Sequence, residues 1–169
     1  MKFIKGNLDG VYLIELEHSR DHRGSFARNF CIEEFKKQGI DIQISQCSIS
    51  YNKKSGTFRG MHYQIPPYQE KKIVSCVKGA IWDIVLDLRE NSATYGKWES
   101  HILSDALICS IYIPEGCAHG FQSLSDDVIV HYMMSAPYSK EHSKKISYKK
   151  FNIGLTMPIT AISDGDNYE

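Results

Sequence analysis

The sequence has no charge excess of either sign, since 20 lysines and arginines are matched by 20 aspartates and glutamates. Without a global field nothing draws the chain to nucleic acid or to a membrane surface, and neither is expected as a partner. Cations that cluster among apolar residues must then serve a local purpose. Paired cysteines are missing too: Cys31, Cys47, Cys76, Cys109 and Cys117 form no CxxC spacing and no even framework. All five are expected to be buried free thiols packing as small hydrophobes. No signal peptide or long apolar span is evident, so a reducing cytoplasm is the expected location. Repeats, low-complexity tracts and linkers are absent as well. Residues 1–169 are therefore expected to form one domain, large enough for a hydrophobic core without staples.

Helical windows are scarce. The one good candidate, Ile32 to Gln38, opens on acidic residues and stops at Gly39. Apolar alternation instead recurs in short blocks at Val11–Leu16, Gln43–Ser50, Lys72–Val77, Ala80–Leu88, Trp98–Leu103, Ser110–Ile113 and Val128–Met134. Turn signals separate them, among them Asp9-Gly10, Lys78-Gly79, Glu115-Gly116 and Asp126-Asp127. Short strands at near-even spacing predict an all-β antiparallel sandwich or barrel with few short helices.

The densest chemistry lies between Gly56 and Lys72, GTFRGMHYQIPPYQEKK, where Arg59, His62 and Lys72 fall inside one strand-like run. One base and two cations are suited to managing a developing oxyanion. Period-two alternation puts His62 and Gln64 on one face and Met61 and Tyr63 on the other, and one face alone is expected to line a cavity. Downstream, Pro114-x-Gly116-x-x-His119 fits the second signature of cupins, jelly rolls whose barrel interior holds a ligand or a metal.

Arg59-Gly60-Met61-His62-Tyr63-Gln64 followed by Lys72 resembles the dTDP-4-dehydrorhamnose 3,5-epimerase family. The resemblance extends over nearly the whole chain. It continues through Asp21-His22-Arg23-Gly24, Thr94 to Trp98, Ile113 to Phe121 and Ser163 to Asp166. It implies a cupin-type double-stranded β-helix (jelly roll), a homodimer with strands exchanged across the interface, and no cofactor. The implied activity is epimerisation, at C3, C5 or both, of a 4-keto-6-deoxy sugar carried on a nucleoside diphosphate.

The resemblance also implies roles. His62 would be the base, oriented by Asp166, with Asp164 as the competing aspartate because Gly165 stands where the family usually has lysine. Lys72, rather than Lys71, would stabilise the enolate oxygen. Tyr132 would be the acid on the opposite face of the sugar, beside a Met133 that replaces a common lysine. Arg23 and Arg59 carry planar forks suited to the diphosphate. Gln46, Ser48, His119 and Tyr138 fall at cavity positions, Ser48 where asparagine is frequent. Arg28 occupies a place where thymidine-specific members often carry glutamate, which raises a cytidine-linked substrate as an alternative.

Three other readings compete. Cupins often bind iron or manganese through His-x-His, a glutamate and a later histidine, which here leaves His62, Glu70 and His119. Gln64 replaces the second histidine and Lys72 would oppose a divalent cation, so no metal is expected. A metal-dependent oxygenase, a non-catalytic sugar-binding cupin and a cupin 3,4-ketoisomerase are the alternatives. No serine or cysteine lies in a nucleophile elbow.

Overall fold

The computed structural model describes residues 1–167, so positions 168 and 169 of the expected single domain lie outside the described residues. Strands appear in the order β1 Lys2–Lys5, β2 Tyr12–Glu15, β3 His18–Asp21 and β4 Gly24–Ala27, then helix α1 Ile32–Lys37. The chain continues through β5 Gln46–Asn52, β6 Phe58–Gln64, β7 Lys72–Lys78 and β8 Ala80–Asp87. It closes with β9 Trp98–Ser104, β10 Cys109–Ile113, β11 Cys117–Ser123, β12 Val128–Met134, β13 Ser143–Lys145 and a 3-10 turn at Tyr148–Phe151. Every alternating apolar block contains or overlaps a strand. The short strands β1, β3, β4 and β13 were not among the expected blocks, because polar runs such as His18-Ser19-Arg20-Asp21 carry no alternation to read.

The strands form an antiparallel jelly roll of two sheets, ordered β1-β2-β10-β7-β12-β5 and β13-β6-β11-β8-β9, with β3 and β4 paired as a separate hairpin. Turns at Lys78-Gly79 and Glu115-Gly116 carry the chain between sheets, each glycine in the left-handed region at φ +77° and +79°. Between the sheets, Val74, Ile111 and Val130 of the first meet Ile81, Val85, Leu103 and Phe121 of the second. Cys76, Cys109 and Cys117 pack there as expected, but Cys47 on the edge strand β5 is exposed and Cys31 is half-buried. A sheet edge has no neighbouring strand to cover it, so burial of all five thiols does not hold.

Helix α1 covers the outer face of the first sheet. Phe35 is fully buried among Phe3, Phe30 and Tyr112, worth about 2–3 kcal/mol of hydrophobic burial. Glu33 and Glu34 in its first turn complement the helix dipole, and Gly39 at φ +76° follows its end. On the outer face of the second sheet, Trp82, Ile84 and Leu86 alternate with the inward Ile81 and Val85 and bury Phe151, Ile153, Ile159 and Ile162 of the C-terminal segment. Phe58 N–H donates to Ala161 O at 2.9 Å beside a parallel bridge from Thr57 to Ala161. This packing returns residues 163–166 to β6.

Candidate active site

The inward parity of each strand carries polar groups into one end of the inter-sheet space. Lys72 continues the inward row of Val74 and Cys76, Tyr132 that of Val128 and Val130, and His119 that of Cys117 and Phe121. With His62 from β6 these side chains line a cavity of about 560 Å³. Strand parity in the folded sheet separates the adjacent lysines. Lys72 is buried, while Lys71 turns outward to Asp41 O at 2.5 Å and Glu115 Oε1 at 3.9 Å.

His62 has Lys145 of β13 and His119 of β11 as its register partners on either side. Its Nε2 lies 2.7 Å from Asp166 Oδ1. An ionised carboxylate only accepts, so Nε2 carries the proton and Nδ1 is left as the basic atom. Burial holds the imidazole below its ordinary value, and the Lys72 and Lys145 ammoniums push the same way against Asp166. The ring is thus neutral near pH 7 and able to accept a proton. Asp166 is buried, which pushes its carboxyl up, but hydrogen bonds from Lys145 and His62 outweigh burial and keep it ionised. Its Oδ2 accepts the Gly60 N–H at 3.4 Å. Asp164 is exposed and makes no such contact. Gly60, at φ +141°, is where β6 crowds β11: a Cβ there would stand 2.5 Å from Gly120 Cα.

Lys72 Nζ pairs with Glu70 Oε1 at 3.0 Å and donates to His62 O at 3.3 Å, with both side chains more than nine-tenths buried. An ammonium has three N–H bonds, so one remains for a ligand oxygen in the cavity. Glu70 in turn accepts from Gln64 Nε2 at 3.1 Å. Tyr132 stands across the space from β6, its phenol pushed well above the ordinary value by burial and by the nearby Asp83. Its ring meets that of His119 edge to face at 5.9 Å between centroids. His119 Nε2 is 2.6 Å from Asp83 Oδ2, forming a second imidazole–carboxylate pair in which Asp83 is fully buried and its Oδ1 has no hydrogen-bond partner.

Nine of the eleven expected site residues line this one cavity. Besides the four expected to be catalytic and His119, they are Gln46, Ser48, Arg59 and Tyr138. Arg59 is anchored by Nε to Asn52 Oδ1 at 2.7 Å, with the rest of its guanidinium exposed at the mouth. Gln46 Oε1 accepts the Tyr138 N–H at 2.8 Å, and Ser48 faces Tyr132 across the β5–β12 register. Arg23 and Arg28 are not brought in. Arg23 pairs with Asp21 on the turn of the exposed β3–β4 hairpin, and Arg28 Nη1 pairs with Glu34 Oε1 at 3.1 Å. Within this chain the donor set that would favour cytosine is therefore held elsewhere.

Strict alternation along β6 fails at two points. Met61 is buried in the outer cluster as expected, yet Arg59 and Tyr63, of the same parity, line the cavity together with His62 and Gln64: the register against β11 shifts between His119 and Phe121, and β6 ends at Gln64. His62, Glu70 and His119 do not converge as metal ligands: each is engaged by a different partner, and among the described residues no group of three His, Cys, Asp or Glu is placed to hold an ion. Sequence reasoning passed over Lys145 and Asp83. Lys145 stands among equally plausible surface lysines, whereas an aspartate inside the apolar block Ala80–Leu88 was a readable sign of a buried functional charge.

The dTDP-4-dehydrorhamnose 3,5-epimerase family model matches residues 5–169. A dTDP-4-dehydrorhamnose 3,5-epimerase of Methanothermobacter thermautotrophicus is 38% identical over 163 residues, covering 96% of this chain and 87% of its own length. Among solved structures, the enzyme of that name from Bacillus anthracis, with TDP and PPi bound, superposes with a TM-score of 0.89 at 31% identity, covering 95% of this chain and 91% of the other. The dTDP-6-deoxy-D-glucose-3,5-epimerase of Legionella pneumophila, in complex with dTDP-4-keto-L-rhamnose, gives a TM-score of 0.90 at 30% identity over 98% and 89% of the two chains.

Proposed function

The chain belongs to the dTDP-4-dehydrorhamnose 3,5-epimerase family, and from that premise we propose that it is a cofactor-independent isomerase that inverts C3, C5 or both of a 4-keto-6-deoxy sugar on a nucleoside diphosphate. The observation that carries this reading is the neutral His62, paired to ionised Asp166, facing the same cavity as the buried Lys72 ammonium and the Tyr132 phenol.

His62 Nδ1 takes the proton from the carbon next to the C4 ketone, and the C–H electron pair moves onto the ketone oxygen as an enolate. Asp166 then holds the imidazolium. The free N–H of Lys72 donates to the enolate oxygen, a contact worth about 3–4 kcal/mol in comparable oxyanion sites. Tyr132 returns a proton to carbon from the opposite face, and the phenolate is reprotonated as His62 gives up its proton to solvent. Burial keeps Tyr132 protonated at working pH, so it is loaded as a donor whenever substrate arrives. Arg59 at the mouth binds the diphosphate, with Gln46, Ser48, His119 and Tyr138 positioning the nucleotide sugar.

The protein works as one domain spanning residues 1–169 and as a homodimer. The edge strand β5 presents Ile49 and Tyr51 exposed, and the β3–β4 hairpin joins neither main sheet and leaves Phe26 78% exposed. Pairing those edges in a second copy would bury them and carry Arg23 and Arg28 toward the partner's cavity. No helix among the described residues is long and apolar enough to cross a membrane, and the free thiols fit a cytoplasmic location. NMR of dTDP-4-dehydro-6-deoxyglucose incubated with the protein in deuterium oxide tests the proposal. Deuterium entering at C3 or C5 with inversion is the expected result; unexchanged alpha protons, or a ketone moved to C3, would overturn it.

A further inference from the structure

Asp166 Oδ1 accepts two hydrogen bonds, one from His62 Nε2 at 2.7 Å and one from Lys145 Nζ at 2.8 Å. Lys145 is the direct cross-strand partner of His62 on β13, so both side chains leave the sheet on the same face. The ammonium reaches Asp166 through the space beside Gly165, where a Cβ would collide with Lys145 Nζ. Gly165 is not in the left-handed region, so its backbone tolerates a side chain; the obstacle is the ammonium itself. Resemblance had marked Gly165 as a gap in the usual pattern, and the structure fills that gap from a different strand.

We propose that Lys145 is a positioning residue for the base, fixing the Asp166 carboxylate on His62 and keeping the imidazole neutral between turnovers, with Gly165 as the clearance that lets it do so. The proposal rests on the reading of His62 as the base. Holding one oxygen between two donors removes the carboxylate's rotational freedom, so the imidazole is presented in one orientation. A cation directly opposite His62 also disfavours the imidazolium, and it shares the counter-charge that would otherwise stabilise it.

The other charged groups around His62 are already committed. Lys72 is compensated by Glu70 at 3.0 Å, and His119 is held by Asp83 at 2.6 Å. Arg59, on the same strand, is tied to Asn52. Lys145 shares its counter-ion with His62 and is two-fifths exposed, so its removal opens no cavity in the core.

The test is the pH profile of kcat/KM for dTDP-4-dehydro-6-deoxyglucose, read with deuterium exchange. Lys145→Met should move the acidic limb up by about one pH unit and lower the plateau kcat severalfold while KM stays within about twofold. Lys145→Arg should return the limb toward the wild-type position. Gly165→Ala, which displaces the ammonium without deleting it, should move the limb in the same direction as Lys145→Met, and Lys145→Ala combined with Gly165→Lys should move it back. A limb unchanged in Lys145→Met, or a raised KM with an unchanged limb, would overturn the proposal, the latter by making Lys145 a ligand for the diphosphate. His62→Ala is measured alongside. If it retains exchange, the base assignment has failed; if it is inactive while Lys145→Met keeps the wild-type profile, the Lys145 proposal alone has failed.

Discussion

Tyr132 and His62 stand on opposite sheets of the jelly roll, on β12 and β6, and face one cavity. An acid and a base held on two walls act on two faces of whatever lies between them, which is the geometric requirement of inversion. Tyr132→Phe should leave enolate formation intact, so deuterium exchange persists. Inversion should fall by about a hundredfold or more, the usual share of a positioned acid. NMR that follows both signals in one sample separates the two steps, and inversion at the wild-type rate would assign the acid elsewhere.

Burial lowers the His62 imidazole from its ordinary value, with the Lys72 and Lys145 ammoniums acting the same way. In the proposed mechanism the neutral ring is the active form, so the acidic limb of kcat/KM should lie below pH 6.5, the ordinary histidine value. His62→Ala should abolish exchange while dTDP still binds by calorimetry. A limb above that value in the wild type would contradict the assigned environment.

Asp166→Asn replaces a double acceptor with an amide and should slow turnover by about a hundredfold, whereas Asp164→Asn, on an exposed side chain, should leave it within about twofold. Steady-state rates of the two variants decide the matter, and the reverse order would place the orienting carboxylate at Asp164.

In the proposed mechanism Lys72→Met removes the enolate's donor, and it leaves the buried Glu70 carboxylate without its cationic partner. Activity should fall about 10²–10³-fold, and stability by about 3–5 kcal/mol. Adding Glu70→Gln should recover most of the stability in denaturant unfolding but none of the activity. Recovery of both would mean that Lys72 serves the fold alone.

Arg28 is paired with Glu34 and does not line the cavity, so within this chain it is not placed to contact a nucleotide base there. Arg28→Glu should leave the ratio of dTDP to CDP affinity within about twofold by calorimetry. A reversal of preference would show that the residue reaches a nucleotide, with the partner's cavity as its place of action.

The jelly roll was legible because short apolar runs such as β7, β8 and β12, set between turn signals, read as strands, although β7 and β8 are buried on both faces where α1 and the C-terminal segment cover the outer sides of their sheets. The motif from Arg59 to Lys72 and the downstream His119 pointed to the same chemistry through residue type and spacing. Local sequence therefore made the architecture legible and singled out His62, Tyr132 and Lys72, which the fold brings to one cavity. What it could not settle depends on segments far apart in the chain. Asp166 prevails over Asp164 only because the C-terminal segment packs on Trp82, Ile84 and Leu86 and is turned by the Asp166 N–H to Ser163 O bond. Lys145 was indistinguishable from its neighbours until β13 paired with β6 and set it opposite His62. Arg23 and Arg28 read as cavity residues, yet the hairpin that carries Arg23 is exposed away from the cavity and Arg28 is drawn to Glu34. Periodicity reports which side of a strand is buried; which distant charge then meets it is fixed by sheet register and chain return, and these exist only in the folded molecule.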